Sequence, residues 1–105
     1  MLKNYLAGKG YKGYVQYTVS TYIDNNLHIR LEIAVPYRKS EQAEVLAKNT
    51  PRIINDIIVT MGDYKNKQVI TKRRYSELKK HLLNVINHYT VEPVETVYYK
   101  TILLM

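Results

Sequence analysis

The stretch LHIRLEIAV, residues 27–35, constrains this chain more than any other. Leu27, Ile29, Leu31, Ile33 and Val35 alternate there with His28, Arg30, Glu32 and Ala34. Successive strand side chains point to opposite faces, so strict alternation predicts a strand with one face buried. A slip of one residue would invert every side chain, which pins the register. The segment before it alternates as well. Val15, Tyr17, Val19 and Ile23 point one way, and Tyr14, Gln16, Thr18 and Ser20 the other. Asp24, Asn25 and Asn26 supply turn chemistry between the two runs. The pair predicts an antiparallel hairpin with its apolar face toward a core, and Pro36 either ends the second strand or sits on an edge.

Beyond Pro36 the apolar spacing changes from two to three and four. Ser40 is a candidate N-cap for SEQAEVLAKN, with Glu41 in the first turn, where the helix dipole favours an anion. Thr50-Pro51 is a stronger start, because proline fits the first helical position. Ile53, Ile54, Ile57, Ile58 and Met61 then share one helical face, with Val59 opposite, and Gly62 can close the helix in the left-handed conformation. DYKNKQVI is expected to be a polar connection with a short strand at Gln68–Ile70. A third helix is expected from about Thr71 to Tyr89, with Tyr75, Leu78, Leu82, Val85, Ile86 and Tyr89 inward. ETVYYKTILLM, rich in β-branched and aromatic residues, predicts a final strand.

The expected architecture is therefore α+β: a small antiparallel sheet with helices packed on one face, in the order β-β-α-α-(short β)-α-β. Residues 1–10 are glycine-punctuated and weakly patterned, and are expected to be a flexible lead-in to one domain over residues 11–105. Alternation in the last strand sends Val97, Tyr99, Thr101 and Leu103 to the helices. Tyr98, Lys100, Ile102 and Leu104 would then share the other face, more apolar than an open sheet face requires. That face is a candidate self-association surface, unless Tyr5 and Leu6 of the lead-in fold over it.

Composition narrows the chemistry. The 105 residues contain no cysteine, which removes disulfides, thiolate nucleophiles and cysteine metal sites. Sixteen Lys and Arg against nine Asp and Glu give a net charge of +7, which favours anionic partners. Lys72, Arg73 and Arg74, with Lys79 and Lys80, dominate the third helix. Its polar half is basic throughout, with Glu77 spaced to pair with Arg73 and Lys80. No aromatic side chain interleaves with these cations, and a solvated helix face is the favoured reading over a nucleic-acid reader. The three cations would nevertheless sit in a first turn that prefers anions. Arg73 and Lys80 are therefore candidate partner contacts.

GKGYKG, residues 8–13, matches G-x-G-x-x-G in letters only. A dinucleotide site needs a strand before it and a helix after it, and here a lead-in of seven residues comes before it and a strand after it. His81 and His88 are about 10 Å apart on one helix, too far to share a metal. No cofactor, metal or catalytic constellation is expected. No stretch reaches the roughly 20 apolar residues that span a bilayer, since Ile53 to Met61 is interrupted by Asn55 and Asp56. The start has no leader-like apolar region, so the chain reads as soluble.

Taken in order, HIRLEIAVPY, NTPRIINDIIVTMG, YSELKKHLLNVINHY and VETVYYKTILLM resemble the FliL family of flagellar basal-body-associated proteins, from about Val19 to Met105. The more telling pieces are PRIINDIIV, the LKKHLLNVIN helix with Asn87 near its end, and the V-x-x-V-Y-Y strand from Val94 to Tyr99. The resemblance implies a periplasmic domain of a single-span inner-membrane protein, with a stomatin/prohibitin-like fold. It also implies assembly into a homo-oligomeric ring around flagellar stator units, and no catalytic residues. The transmembrane anchor and cytoplasmic tail of that pattern are not among these residues. The expected function is a non-enzymatic scaffold of the flagellar motor. The alternative is a small basic cytoplasmic nucleic-acid-binding domain.

Overall fold

A computed structural model describes all 105 residues. The hairpin forms as its alternation dictates: β1 spans Gly13–Asp24 and β2 spans Leu27–Tyr37, joined at Asn25 and Asn26. Tyr17 lies opposite Ile33, and Val19 opposite Leu31. Ile29, Leu31, Ile33 and Val35 are fully buried, whereas Arg30 is exposed and His28 and Glu32 are half-buried. The third strand, β3, spans Tyr98–Leu104 and pairs antiparallel with β2, so the sheet order is β1-β2-β3. Pro36 lies past the last β2–β3 pair, Ala34 with Tyr98, where β2 is itself an edge that tolerates proline.

The helices are α1 (Leu2–Gly8), α2 (Ser40–Lys48), α3 (Thr50–Gly62), α4 (Tyr64–Thr71) and α5 (Tyr75–Asn87). The inner sheet face meets α2–α5 in one core of 18 buried residues. Leu46, Ile53, Ile57, Met61, Ile70, Leu78, Leu82 and Ile86, all at 0% exposure, supply its helical half together with Val69. α2 and α3 are separated only by Asn49, and side chains donate to three of the carbonyls at that break. The Asn49 side chain donates to Val45, Thr50 Oγ1 donates to Ala47 (2.8 Å), and Tyr17 OH donates to Leu46 (2.7 Å).

Several expectations are corrected. The lead-in is not without regular structure: α1 forms there and buries Leu6. Leu6, Tyr11 and Ala34 are buried but stand outside the main core, and Ala34 lies on the sheet face opposite Ile33 and Val35. Tyr5 packs edge-on against Tyr98, the β3 partner of Ala34. A helix therefore also covers part of the outer sheet face. Ser40 is the first helical residue rather than the cap. Gln42 Oε1 reaches back to accept the amides of Arg38 and Lys39, half of a capping box.

Gly62 does not take a positive φ. The next residue, Asp63, is extended and caps α4 by accepting the Lys65 amide at 2.9 Å. No strand forms at Gln68–Ile70. Asn66, Val69 and Ile70 are buried at helical spacing, and Asn66 Nδ2 donates to the Thr60 carbonyl (2.7 Å), fixing the α3–α4 corner. The third helix starts at Tyr75, so Lys72, Arg73 and Arg74 form a connector and do not occupy a first turn.

Candidate partner-contact surfaces

The proposed outer face of β3 is split by a bulge. Ile33 pairs with Tyr99 and Glu32 with Thr101, so Lys100 is the extra residue. The insertion reverses the alternation after it. Ile102 and Leu104 now lie opposite Leu31 and Ile29 and pack against the core, while Leu103 is 49% exposed. Tyr98 and Lys100 are thus separated from Ile102 and Leu104. Lys100 Nζ spans the central strand to donate to Gln16 Oε1 on β1 (2.8 Å) and sits 5.3 Å from the Tyr14 ring centre. The exposed apolar groups of the outer face lie instead toward the hairpin end. Tyr22 (71%), Leu103 and Met105 (63%) flank His28, whose backbone exchanges two hydrogen bonds with Met105.

At the opposite end, the segment after α5 is held by polar contacts between distant residues. Tyr11 OH donates to Glu95 Oε2 (2.6 Å), Arg38 Nε pairs with the same oxygen (2.9 Å), and the guanidinium lies 4.1 Å from the Tyr11 ring centre. The Tyr11 hydrogen bond first, and then Arg38, hold the Glu95 carboxyl below the usual carboxylate range. Lys39 pairs with Glu92 (2.7 Å), and Gln42 Nε2 donates to the Glu92 and Pro93 carbonyls. Asn87 accepts the Val94 amide (2.9 Å) and donates to the Val94 carbonyl (3.3 Å), like a strand partner. That pairing gives a physical role to Asn87 and to the start of V-x-x-V-Y-Y. Tyr11, Arg38 and Glu95 were not legible as a cluster, because 84 and 57 residues separate Glu95 from its partners.

Arg73 lies on the α4–α5 connector, and Lys80 lies in the second turn of α5. The Arg73 amide donates to Ile70 and the Arg74 amide to Val69, the paired bonds of a Schellman closure, with Arg73 at φ +58°. Glycine is the usual residue there. Arg73 is the only non-glycine residue with positive φ, whereas Gly10 (φ +88°) serves the α1–β1 turn. Glu77 pairs with neither Arg73 nor Lys80, since the ion pairs are Arg30–Glu32, Arg38–Glu95 and Lys39–Glu92. Lys79 instead lies 5.7 Å and 5.6 Å from the Tyr98 and Tyr99 ring centres at the β3 edge.

GKGYKG runs from the end of α1 into β1, so no helix N-terminus follows its glycines. No three His, Asp or Glu side chains converge as metal ligands do. No helix is long and apolar enough to cross a membrane. No curated protein matches the chain. The family model described as "Flagellar basal body-associated protein FliL" matches residues 13–104, from the first residue of β1 to the last of β3. The chain belongs to the FliL family of flagellar basal-body-associated proteins.

Proposed function

We propose that this domain is a non-enzymatic scaffold on the periplasmic side of the inner membrane, where copies assemble into a ring that supports the stator units of the flagellar motor. The observation that carries the reading is the extent of the family match. It takes in the whole sheet and α2–α5, the unit that a scaffold would repeat. The geometry offers such a repeat a means of contact. Both outer strands of the sheet have an unpaired edge, and β3 carries exposed Leu103 beside its own. The contact surface therefore moves from the expected Tyr98, Lys100, Ile102 and Leu104 to the β3 edge, Leu103 and the hairpin end.

The test is sedimentation at millimolar protein together with motility of the source organism. Mass above the monomer is expected for the wild type and not for Leu103→Lys. The same substitution at the native locus should reduce swimming in soft agar. A strictly monomeric wild type, with full motility of the variant, overturns the proposal.

A further inference from the structure

The charge is concentrated in one place. Residues 65–80 hold seven of the sixteen Lys and Arg and a single acid, Glu77, so they account for +6 of the net +7. None of these cations pairs with a carboxylate. Lys72, Arg73 and Arg74 are contiguous and exposed on the α4–α5 connector. The buried side of α4 is set by Asn66, Val69 and Ile70, which puts Lys65 and Lys72 two turns apart on one flank. On α5 the buried residues Leu78, Leu82 and Ile86 place Lys80 near the solvent pole.

Two further observations bear on what this patch meets. Arg73 holds a left-handed conformation that glycine would adopt without strain, and it does so in the middle of the patch. Backbone outliers of this kind cluster at functional sites, and here the residue that holds the conformation is a cation. Tyr64, 75% exposed, opens α4 beside Lys65 on the solvent side of the helix. Tyr22, 71% exposed, borders the same surface hollow as Lys67 at the hairpin tip. Tyrosines with an apolar ring and a wet hydroxyl, among unpaired cations, suit the headgroup layer of a bilayer. A nucleic-acid surface would instead set stacking rings and base-reading amides among the cations.

We infer that Lys65, Lys72, Arg73, Arg74 and Lys80 form a docking surface for an anionic phospholipid membrane, with Tyr64 at its margin. This inference does not depend on ring formation. Each Lys or Arg near an anionic bilayer strengthens binding about fivefold at low salt. The patch is therefore ample for reversible adsorption, and the adsorption is screened by salt.

The test is co-sedimentation of the whole chain with vesicles of one part phosphatidylglycerol to two parts phosphatidylcholine, against phosphatidylcholine alone. Binding to the anionic vesicles is expected at about 50 mM salt and is lost near 500 mM. The triple variant Lys72→Gln, Arg74→Gln, Lys80→Gln should bind about a hundredfold more weakly. Lys3→Gln, Lys12→Gln, Lys48→Gln removes the same charge from exposed sites elsewhere and should bind several-fold to tenfold more weakly at most. Arg73→Gly, which relieves backbone strain, should still weaken binding about fivefold. Equal loss in the two triple variants would mean that net charge alone acts, and overturns the proposal. So does retention of heparin or duplex DNA without vesicle binding, which would assign the patch to another polyanion.

Discussion

Arg73 and Tyr17 show how single side chains set local conformation here. A left-handed residue with a Cβ carries a strain of about 1–2 kcal/mol, and glycine recovers only part of it because its unfolded chain is freer. Arg73→Gly should therefore stabilise the domain by about 1 kcal/mol, read as a higher urea midpoint at unchanged slope. An unchanged or lower midpoint would show that the Arg73 side chain contributes more to folding than its backbone strain removes. Tyr17 is buried on β1 with its hydroxyl on the Leu46 carbonyl, and burial pushes its phenol up to about 12. Tyr17→Phe leaves that carbonyl with only the longer Thr50 contact, 3.3 Å, and should cost about 1–2 kcal/mol at neutral pH. The pH dependence follows from linkage. The unfolded phenol ionises at its ordinary value of 10.0, below the folded value. The contribution is complete below pH 10 and is lost as pH rises toward about 12. Alkaline titration of stability should be shallower in Tyr17→Phe than in the wild type. Parallel alkaline limbs would refute this role.

Within the elements, helix α3 gives the sharpest contrast between neighbouring positions. Ile57 is fully buried and Val59 is 65% exposed. Ile57→Ala should destabilise by roughly 2–5 kcal/mol through lost transfer energy and the cavity left behind, whereas Val59→Ala should change little. Comparable denaturation midpoints would contradict the faces assigned to α3. The same burial logic separates the two ends of β3. Ile102→Asp, directed at the core, should unfold the domain or nearly so, while Leu103→Asp should leave monomer stability close to wild type. These contrasts also mark what could be seen in advance. The hairpin and α3 were legible because each buries one face along an unbroken period, so five or more side chains agree. The β3 facing was not, because period-two reasoning assumes an uninterrupted ladder and one bulged residue at Lys100 reverses Ile102 and Leu104. α4 was missed because its inner face includes the polar Asn66 and only two apolar residues. The break before α5 carries neither glycine nor proline, and Arg73 fills the position where glycine would have announced it. Of the six residues expected in partner contact, Arg73 and Lys80 are both exposed, one on the α4–α5 connector and one on α5. The other four divide between the two sheet faces.

At the scale of the whole molecule, an elongated body of 40 × 26 × 19 Å carries a three-stranded sheet with an edge on each side. Two kinds of assembly can use such edges. Pairing β3 with β3 of a second copy is isologous and stops at a dimer, whereas pairing β3 with β1 of the next copy is heterologous and repeats until it closes. A ring requires the second. Tyr22 on β1 and Leu103 on β3 are both exposed and lie beside their respective edges, so a lysine at either position should block one side of that contact. Under heterologous pairing, Leu103→Lys and Tyr22→Lys each abolish higher assembly. An equal mixture forms a dimer and nothing larger, because the intact β3 of one variant meets the intact β1 of the other. Under isologous pairing, Tyr22→Lys associates like the wild type and Leu103→Lys does not, and mixing rescues nothing. Sedimentation of the three samples at millimolar protein separates the cases. Assembly of both variants indistinguishable from wild type would remove the sheet edges from the contact and leave the helical face to supply it.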